Sequence, residues 1–555
     1  MMIGGIPGPK RVGVGLEARA GLLRGAATVG RVVGTTLGPG GRAVLIERRH
    51  AQPWVSTDGY TIARHLDLDD RFEDMGGRLV RHVGSRVTDE VGDGSTTAMV
   101  LAAALMEEGH RATAAGADPM SVKRGMERGL AAVTAALEAQ SRPLPAAGGL
   151  ERVARLAAGG DGEIARHLAE AIRQVGPDGV VTIEEAQGVE TELSVHEGMS
   201  FDQGYVSPAF VTDQDDMTAT LEDAYVLMHE KTISSVDAIE PALRAFAKSS
   251  HTLLIVGEDV VGDALATLIV NKQQGGLRVA AVKAPGFGRW RKLMLEDIAV
   301  MTGGEIVTDE LGNKLENLKP AMMGAAKRVH VARDRTTIVD GAGDAREIEQ
   351  RCNMLRREAE AEKYLSFDRE KLQERLARLA AAIAHLRLGG ATESELRARK
   401  ERATDALNAA RAAAAEGVVP GGGVALVQAS RALRRVHAGS DDEAMGVSAL
   451  EAALKAPMRR IVENAGGEGP YAVARALAHD NPRWGYDAGA RRFRDLPRAG
   501  IVDPTRVVRT ALRTAVPAAA RVIAAEAAIA GSPPPAEPET QALPESALPG
   551  GQGGG

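Results

Sequence analysis

The string Gly92-Asp93-Gly94-Ser95-Thr96-Thr97 opens the apolar run AMVLAAALMEEG, and its residue types suit phosphate chemistry. Glycines let the backbone approach a ligand closely. The Ser and Thr hydroxyls can cap, and the helix that follows directs its unpaired N–H groups at the loop. Asp93 adds a hard oxygen donor for Mg2+, which takes one or two protein carboxylates and completes its shell with phosphate and water. The same string also reads as a capped helix after a glycine turn, because short Gly/Asp/Ser/Thr strings are common. Two further glycine loops, TLGPGGR at 36–42 and VVPGGG at 418–423, adjoin helix-like runs, and Asp58-Gly59 and Asp405 add carboxylates. No Gly-x4-Gly-Lys-Ser/Thr string is present, which excludes a P-loop ATPase. Spacing alone does not bring the loops together.

The elements that must position these residues belong to a chain of 555 residues, more than one hydrophobic core organises, so three to four domains of about 150 residues are expected. Only 3% of the residues are aromatic, which argues against a base-stacking nucleic-acid binder. Lys plus Arg (68) minus Asp plus Glu (74) gives −6, so no basic field draws the chain to nucleic acid or anionic membrane. The single cysteine, Cys352, excludes an internal disulfide framework and fits a reducing compartment. With no signal-like segment at the N-terminus and no 18-residue apolar run, a cytoplasmic location is expected. The twelve histidines lack metal-ligand spacing.

Along the chain, small and apolar residues at helical spacing over 17–34 run into the first glycine loop. Residues 43–47 and 60–63 read as short strands, and 96–115 and 119–139 as helices. The texture changes near 178, where strand-like runs (180–185, 252–257, 279–284) alternate with helical segments such as 260–272, the pattern of an α/β domain. Leu372, Leu376, Leu379, Ile383 and Leu386 form one stripe of a long helix over 351–387. After 391 Ala-rich helices return until about 530, so the two chain ends are expected to share one helical domain with the α/β region inserted between them. The Pro/Glu- and Gly-rich residues 531–555 read as a disordered tail.

The segments TTLGPGGRAVLIE, STDGYTIARHLDLDDRFEDMGGRLV, DEVGDGSTTAMVLAAAL, HEGMSFDQGYVSP, GEDVVGDALATLIVN, VKAPGFGRWRKLMLEDIAVMTGG, DREKLQERLARLA, EGVVPGGGVAL and AGIVDPTRVVRTAL together resemble the group I (GroEL-like) chaperonins, in family order, from about residue 10 to 530. The resemblance implies a multidomain α and α/β fold. A mainly helical equatorial domain would span 1–139 and 416–530, a small α/β intermediate domain 140–196 and 384–415, and an α/β apical domain 197–383. It implies a chaperonin ATPase of the protein-folding isomerase class that takes ATP, Mg2+ and K+. Its partners would be unfolded client proteins, a co-chaperonin lid and further copies of itself in seven-membered rings, two stacked back to back.

Carried onto matching positions, Thr36, Leu37, Gly38 and Pro39 would line the nucleotide with Thr57, and Asp93, Gly94, Ser95, Thr96 and Thr97 would hold phosphate, Asp93 also the metal. Gly422 and Asp503 would contact the adenosine end, and Asp487, Ala488 and Gly489 would also belong to the nucleotide-binding set. Asp58 and Asp405 would position the attacking water, Asp405 arriving with the intermediate domain. Tyr205, Phe210, Leu243, Leu265, Ile269 and Val270 would form the exposed polypeptide-binding groove. Arg111 with Asp441 and Arg459 with Glu468 fall where the family pairs charges between rings.

Several positions depart from the pattern. Thr57 stands where Lys is usual, Gly159-Gly160 replaces a polar pair, Asp487 replaces Asn and Gly489 replaces Ala. One cation fewer and one carboxylate more beside an anionic ligand predict weaker nucleotide binding. Ala209 and Glu240 replace an aromatic residue and Leu in the groove and predict a narrower client range. The tail lacks Gly-Gly-Met repeats. A divergent paralogue with weak or absent turnover is the alternative; a small-molecule ATP enzyme is opposed by the missing P-loop and by the resemblance continuing through the apical region.

Overall fold

The computed structural model describes residues 10–47, 53–145, 148–176, 179–186, 188–214, 216–246, 252–308, 315, 318–361, 366–379 and 382–531. The tail expected over 531–555 lies outside the described residues beyond Gly531. The chain divides into two compact units, Met1–Gly149 with Ala412–Gly555, and Leu150–Arg411.

In the first unit both chain ends contribute long helices: Gly15–Gly34, Arg71–Val91, Ser95–Ala114, Pro119–Gln140, Asp441–Ala453 and Thr505–Ala524. Their starts are encoded locally. Asp70 accepts from the Phe72 and Glu73 amides, and Asp118 caps a helix whose first residue is Pro119. Their buried faces share one core with Val29, Val33, Met99, Leu101, Leu105, Leu512 and Val516, all fully buried. Each such Leu or Met contributes about 1.5–3 kcal/mol. Small residues set the spacing. A Cβ at Gly25 would lie 1.7 Å from the Glu73 carbonyl oxygen, and one at Gly76 1.8 Å from that of Leu22, so the first two helices meet backbone to backbone. The chain ends are tied by an antiparallel ribbon of Lys10–Val14 with Ala527–Gly531. Residues 60–63, expected as a strand, lie in the helix Gly59–Arg64; the strand that pairs with Val44–Ile46 is Trp54–Ser56. The Asp58 cap decides this, because it satisfies the first free amides of a helix that starts immediately after it.

The second unit holds a nine-stranded sheet in the order Val180–Glu185, Ala382–Leu388, Glu192–Phe201, Thr336–Gly341, Gly324–Val331, Ala219–His229, Thr252–Gly257, Val279–Lys283, with Ile306–Val307 also beside Ala219–His229. Ala219–His229, Thr252–Gly257 and Val279–Lys283 run parallel, linked through the helices Val236–Phe246 and Gly262–Gln273. All six residues of Thr252–Gly257 are buried, which explains its unbroken apolar run. The strand Glu192–Phe201 changes partner along its length: 192–197 pair with Ala382–Leu388, and 198–201 with Thr336–Val339. The expected boundaries at 197 and 383 therefore fall inside strands.

The long helix expected over 351–387 is instead two helices, Ala345–Ala361 and Ser366–Leu379, followed by the strand Ala382–Leu388. Leu372, Leu376 and Leu379 pack as one helical face, whereas Ile383 and Leu386 are buried on opposite faces of the strand. A 4-3-4-3 spacing cannot distinguish these cases, because a strand covered on both faces buries apolar residues at any interval. Arg375 fixes the second helix by a bidentate ion pair with the wholly buried Asp297, at 2.6 and 2.8 Å, which Arg351 joins at 2.9 Å.

On the Ala382–Leu388 strand, opposite Ser194, His385 is 3% exposed, with Nδ1 2.7 Å from Thr182 Oγ1 and Nε2 buried without a hydrogen-bond partner. Glu184 lies 3.7 Å away, His196 packs edge-on at 5.5 Å and holds Asp340 at 3.0 Å, and Arg328 pairs with Glu184. Burial first, then the charges of Arg328, His196 and Arg387, push His385 down to about 4. The unfolded imidazole titrates near 6.5, so the unfolded chain binds more protons between these values. Stability is intact above about pH 6.5 and lost as pH falls towards 4, by about 1–3 kcal/mol. Thermal unfolding of wild type and His385→Val should diverge below pH 6.5, the variant falling less; parallel curves would refute the assignment.

Candidate nucleotide site

The first unit gathers its glycine loops through short local bonds. After the helix Gly15–Gly34, the Thr36 hydroxyl donates to the Val33 carbonyl at 2.9 Å and the Gly41 amide to Gly38 at 2.9 Å. Asn464 Nδ2 donates to the carbonyls of Gly34 and Leu37, 2.8 Å each, and so fixes the turn that presents Leu37, Gly38 and Pro39. This residue carries no sequence signal beyond being an amide at a helix end, since its partners are more than 420 positions away.

Asp58 caps the helix Gly59–Arg64, accepting from the Thr61 amide at 2.6 Å and Tyr60 at 3.3 Å. A Cβ at Gly59 would meet Thr96 Oγ1 at 2.2 Å, so the Asp58-Gly59 turn lies directly against the Gly92–Thr97 loop. In that loop Gly92 (φ 73°) ends one helix and Gly94 (φ 84°) starts the next, with Asp93 between them accepting from the Gly94 amide at 2.6 Å. Ser95, Thr96 and Thr97 form the first turn of the helix Ser95–Ala114, whose free amides face the same end.

The third loop is placed by pairing of Val418–Pro420 with Val502–Pro504, which sets Asp503 opposite Val419. The amides of Gly422 and Gly423 favour the charged form of the Asp503 carboxylate. Finally, the hairpin of Trp484–Asp487 with Arg492–Asp495 closes one side: a Cβ at Gly489 would lie 4.0 Å from Pro39, and one at Gly422 4.0 Å from the Tyr486 carbonyl oxygen. Thr57 is exposed beside Asp58.

Asp93 and Asp503 keep part of their surface accessible, yet the protein crowds them. Burial pushes Asp93 up to about 6, with the Asp58 charge adding to it and the Gly94 amide opposing. Burial, then the Asp93 charge, push Asp503 up to about 7, against the two glycine amides. Among the described residues neither has a Lys or Arg ion-pair partner. Crowded carboxylates that repel one another are the donor set a divalent cation stabilises. No group of three or more His, Cys, Asp or Glu is arranged for a metal among the described residues, so such a cation would draw most of its shell from phosphate and water.

Gly94 is a sharp test of the loop. A Cβ there would sit 2.4 Å from Val507 Cγ1, and the backbone is left-handed. Gly94→Ala is expected to lower ATP affinity at least 10-fold by isothermal titration and to cost about 1–3 kcal/mol of stability; unchanged affinity would show that this loop does not touch phosphate.

Asp487 departs from the expectation of a bare extra carboxylate. It is 5% exposed; Oδ1 accepts from the Ala490 amide at 2.9 Å, and Oδ2 lies 2.8 Å from Arg494 Nε, an ion pair off the N–H axis. Its charge is compensated from within the hairpin. Asp405 lies in the second unit, partly exposed on the helix Glu393–Glu416. Gly159 and Gly160, both left-handed, end the helix Gly149–Ala157 beside Arg402, one turn before Asp405.

Of the residues expected in the polypeptide groove, Phe210 is fully buried in the sheet core and exposes nothing, because the Ser207-capped turn Pro208–Phe210 folds its ring inward. Leu243, Leu265, Ile269 and Tyr205 are half-buried against that core, and Val270 is 46% exposed. Glu240 is exposed and pairs with Arg244 at 2.7 Å, and Ala209 turns its carbonyl to Lys272 at 2.8 Å. Arg111 pairs within its own helix with Glu107 and Glu108.

A model of the TCP-1/cpn60 chaperonin family matches residues 29–532. The chain belongs to that family. The match takes in every loop of the site and both units, so the insertion of Leu150–Arg411 between two halves of a helical unit is the architecture of a chaperonin subunit. Chaperonins of this family assist protein folding, form oligomeric rings and are in general ATPases. No helix of this chaperonin among the described residues is long and apolar enough to cross a membrane.

Proposed function

We propose that this chaperonin is a group I subunit that binds ATP·Mg2+ between the loops Thr36–Pro39, Gly92–Thr97 and Gly421–Gly423 and hydrolyses it to drive enclosure of non-native polypeptide in a cytoplasmic ring. The observation that carries the reading is the convergence of Asp58, Asp93 and Asp503 with three glycine loops and a helix N-terminus, two of the carboxylates being raised by crowding. Phosphoryl transfer needs charge neutralisation and an oriented water more than covalent chemistry. The glycine amides and the first turn at Ser95 would hold phosphate oxygens, and Asp93 would hold Mg2+, which neutralises charge on the transferring group. Asp58, fixed by two backbone amides, and Asp405 would orient the water. K+ is a further cation of this reading.

Assembly is supported by two unlike surfaces of the first unit. The ribbon of Lys10–Val14 with Ala527–Gly531 exposes Val12, Val14 and Ile529, and the hairpin of Val44–Ile46 with Trp54–Ser56 exposes Leu45 and Val55 directly opposite each other. Two different apolar strand surfaces suit a heterologous contact, which closes into a ring. Seven-membered rings, two stacked rings and a co-chaperonin lid complete the proposal, with Leu243, Leu265, Ile269 and Val270 as the client-facing residues. Electron microscopy of the purified protein with an ATPase assay tests it: rings with magnesium-dependent turnover support the reading, rings without turnover favour a non-hydrolysing paralogue, and absence of rings overturns it.

A further inference from the structure

Arg494 lies outside every glycine loop, yet its position bears on the nucleotide pocket. The hairpin of Trp484–Asp487 with Arg492–Asp495 carries Ala488 and Gly489 at its tip, and that tip abuts Pro39. At the base of the tip Asp487 is almost wholly buried. An isolated carboxylate there would oppose any anionic ligand that approaches the turn. The structure meets this with two contacts: Ala490 N–H donates to Oδ1 at 2.9 Å, which sets the turn, and Arg494 Nε lies 2.8 Å from Oδ2. Directly across the ladder from Asp487 stands Arg492, exposed, so the compensating cation is the diagonal neighbour that the strand pleat turns to the same side. The hairpin is stiffened on its other face. Trp484 stacks between His479 at 4.2 Å and Phe493 at 4.7 Å, and the Arg475 guanidinium lies 4.6 Å from the centre of the Phe493 ring. Arg483, a further cation of this hairpin, is engaged elsewhere, pairing with Asp495 at 3.1 Å.

We propose that Arg494 is a positioning residue of the nucleotide pocket: it neutralises Asp487, so the Asp487–Gly489 turn can approach an anionic ligand and present its backbone to it. The inference rests on the nucleotide reading above. Asp487 is then a loop anchor held by Arg494, and it takes no part as a ligand. A carboxylate anchor with a built-in cation does the work of an uncharged amide at the same place, and the two are exchangeable only as a pair.

The test is a double-mutant cycle on the full chain, with ATP·Mg2+ affinity read by titration calorimetry and folding checked by thermal unfolding. Arg494→Met is expected to weaken ATP·Mg2+ binding at least 10-fold, more at low salt than at high salt, because it leaves the carboxylate uncompensated. Adding Asp487→Asn to Arg494→Met is expected to restore affinity to within about 3-fold of wild type, since the charge to be compensated is gone. A merely structural Arg494 predicts no rescue by Asn. If Arg494→Met binds like wild type, or if the double variant binds no better than Arg494→Met while melting at a similar temperature, the proposal is wrong and the nucleotide reading stands. If wild type itself binds no ATP·Mg2+, both fall. Should Arg494→Met not fold, Arg494→Gln with and without Asp487→Asn gives the same cycle with a side chain that still packs.

Discussion

Replacing Asp405 by Ala is expected to lower ATP turnover at least 100-fold while leaving ATP·Mg2+ affinity within about 3-fold of wild type and ring assembly intact. General-base and water-positioning groups contribute about 100- to 10,000-fold, and a side chain that acts on the water leaves nucleotide binding to other residues. The separation follows from the architecture. Every glycine loop and the carboxylates Asp58, Asp93 and Asp503 belong to the first unit, whereas Asp405 stands on the second unit's helix Glu393–Glu416. On the proposed reading, nucleotide binding and the water-orienting carboxylate would thus be separable by mutation. Turnover assayed with calorimetric affinity on the same preparations decides it. A variant that loses affinity and turnover together would move Asp405 from chemistry to folding, and unchanged turnover would remove it from the reaction.

ATP·Mg2+ binding is expected to weaken about 10-fold per pH unit on acidification from pH 7 to 5, and binding at pH 6.5 should release protons. The direction follows from the burial that raises Asp93 to about 6 and Asp503 to about 7. A cation needs the ionised forms, so protonation competes with it. Folding stability carries the opposite sign. A carboxyl whose folded value is raised above the ordinary value near 4 favours the folded state at low pH, and that contribution is lost as pH rises through 6 to 7. On the proposed reading, a bound divalent cation would relieve this repulsion at neutral pH. Asp93→Asn should remove most of the magnesium requirement of binding along with part of the pH dependence; calorimetry in two buffers of different ionisation enthalpy counts the protons. A proton release of zero would contradict the picture.

The two units have different acid responses, which makes them separable in one experiment. His385 is expected to destabilise the second unit as pH falls below 6.5, whereas the raised Asp93 and Asp503 are expected to favour the folded first unit in the same range.

Much of the fold is legible in the sequence where one local rule is strong. The run TLLIVG over 252–257 is a buried parallel strand as its composition says, and Pro119 after Asp118 starts a helix where both residue types predict it. The reading fails where a short segment satisfies two periods. GYTIAR at 59–64 has the β-branched content of a strand, but the Asp58 cap settles it as a helix. Ile383 and Leu386 continue a helical stripe numerically but sit in a strand after the chain has turned. In the site, the glycine loops with Asp58 and Asp93 stand out by residue type, but such turns are common, so only the resemblance groups them into one site. Asn464 and Arg494 are not legible, because one acts on a partner at long range and the other through strand register, and neither distance is written in local composition. Phe210 shows the converse: an aromatic position carried over by resemblance as exposed is wholly enclosed by its own sheet.

The strand Glu192–Phe201 offers a final consequence. Its first half hydrogen-bonds Ala382–Leu388 and its second half Thr336–Val339, and the cores on the two sides are distinct: one holds Met199 and Phe201, the other is packed by Leu193. A single backbone is thus the shared edge of two hydrophobic bodies. Neither can melt without stripping the other of a hydrogen-bonded border, so the two behave as one cooperative block in unfolding while each retains its own interior. Gly198 stands at the crossing, where a Cβ would lie 2.1 Å from Ile383 Cδ1, and this leaves the seam with no side chain of its own to resist a twist between the bodies.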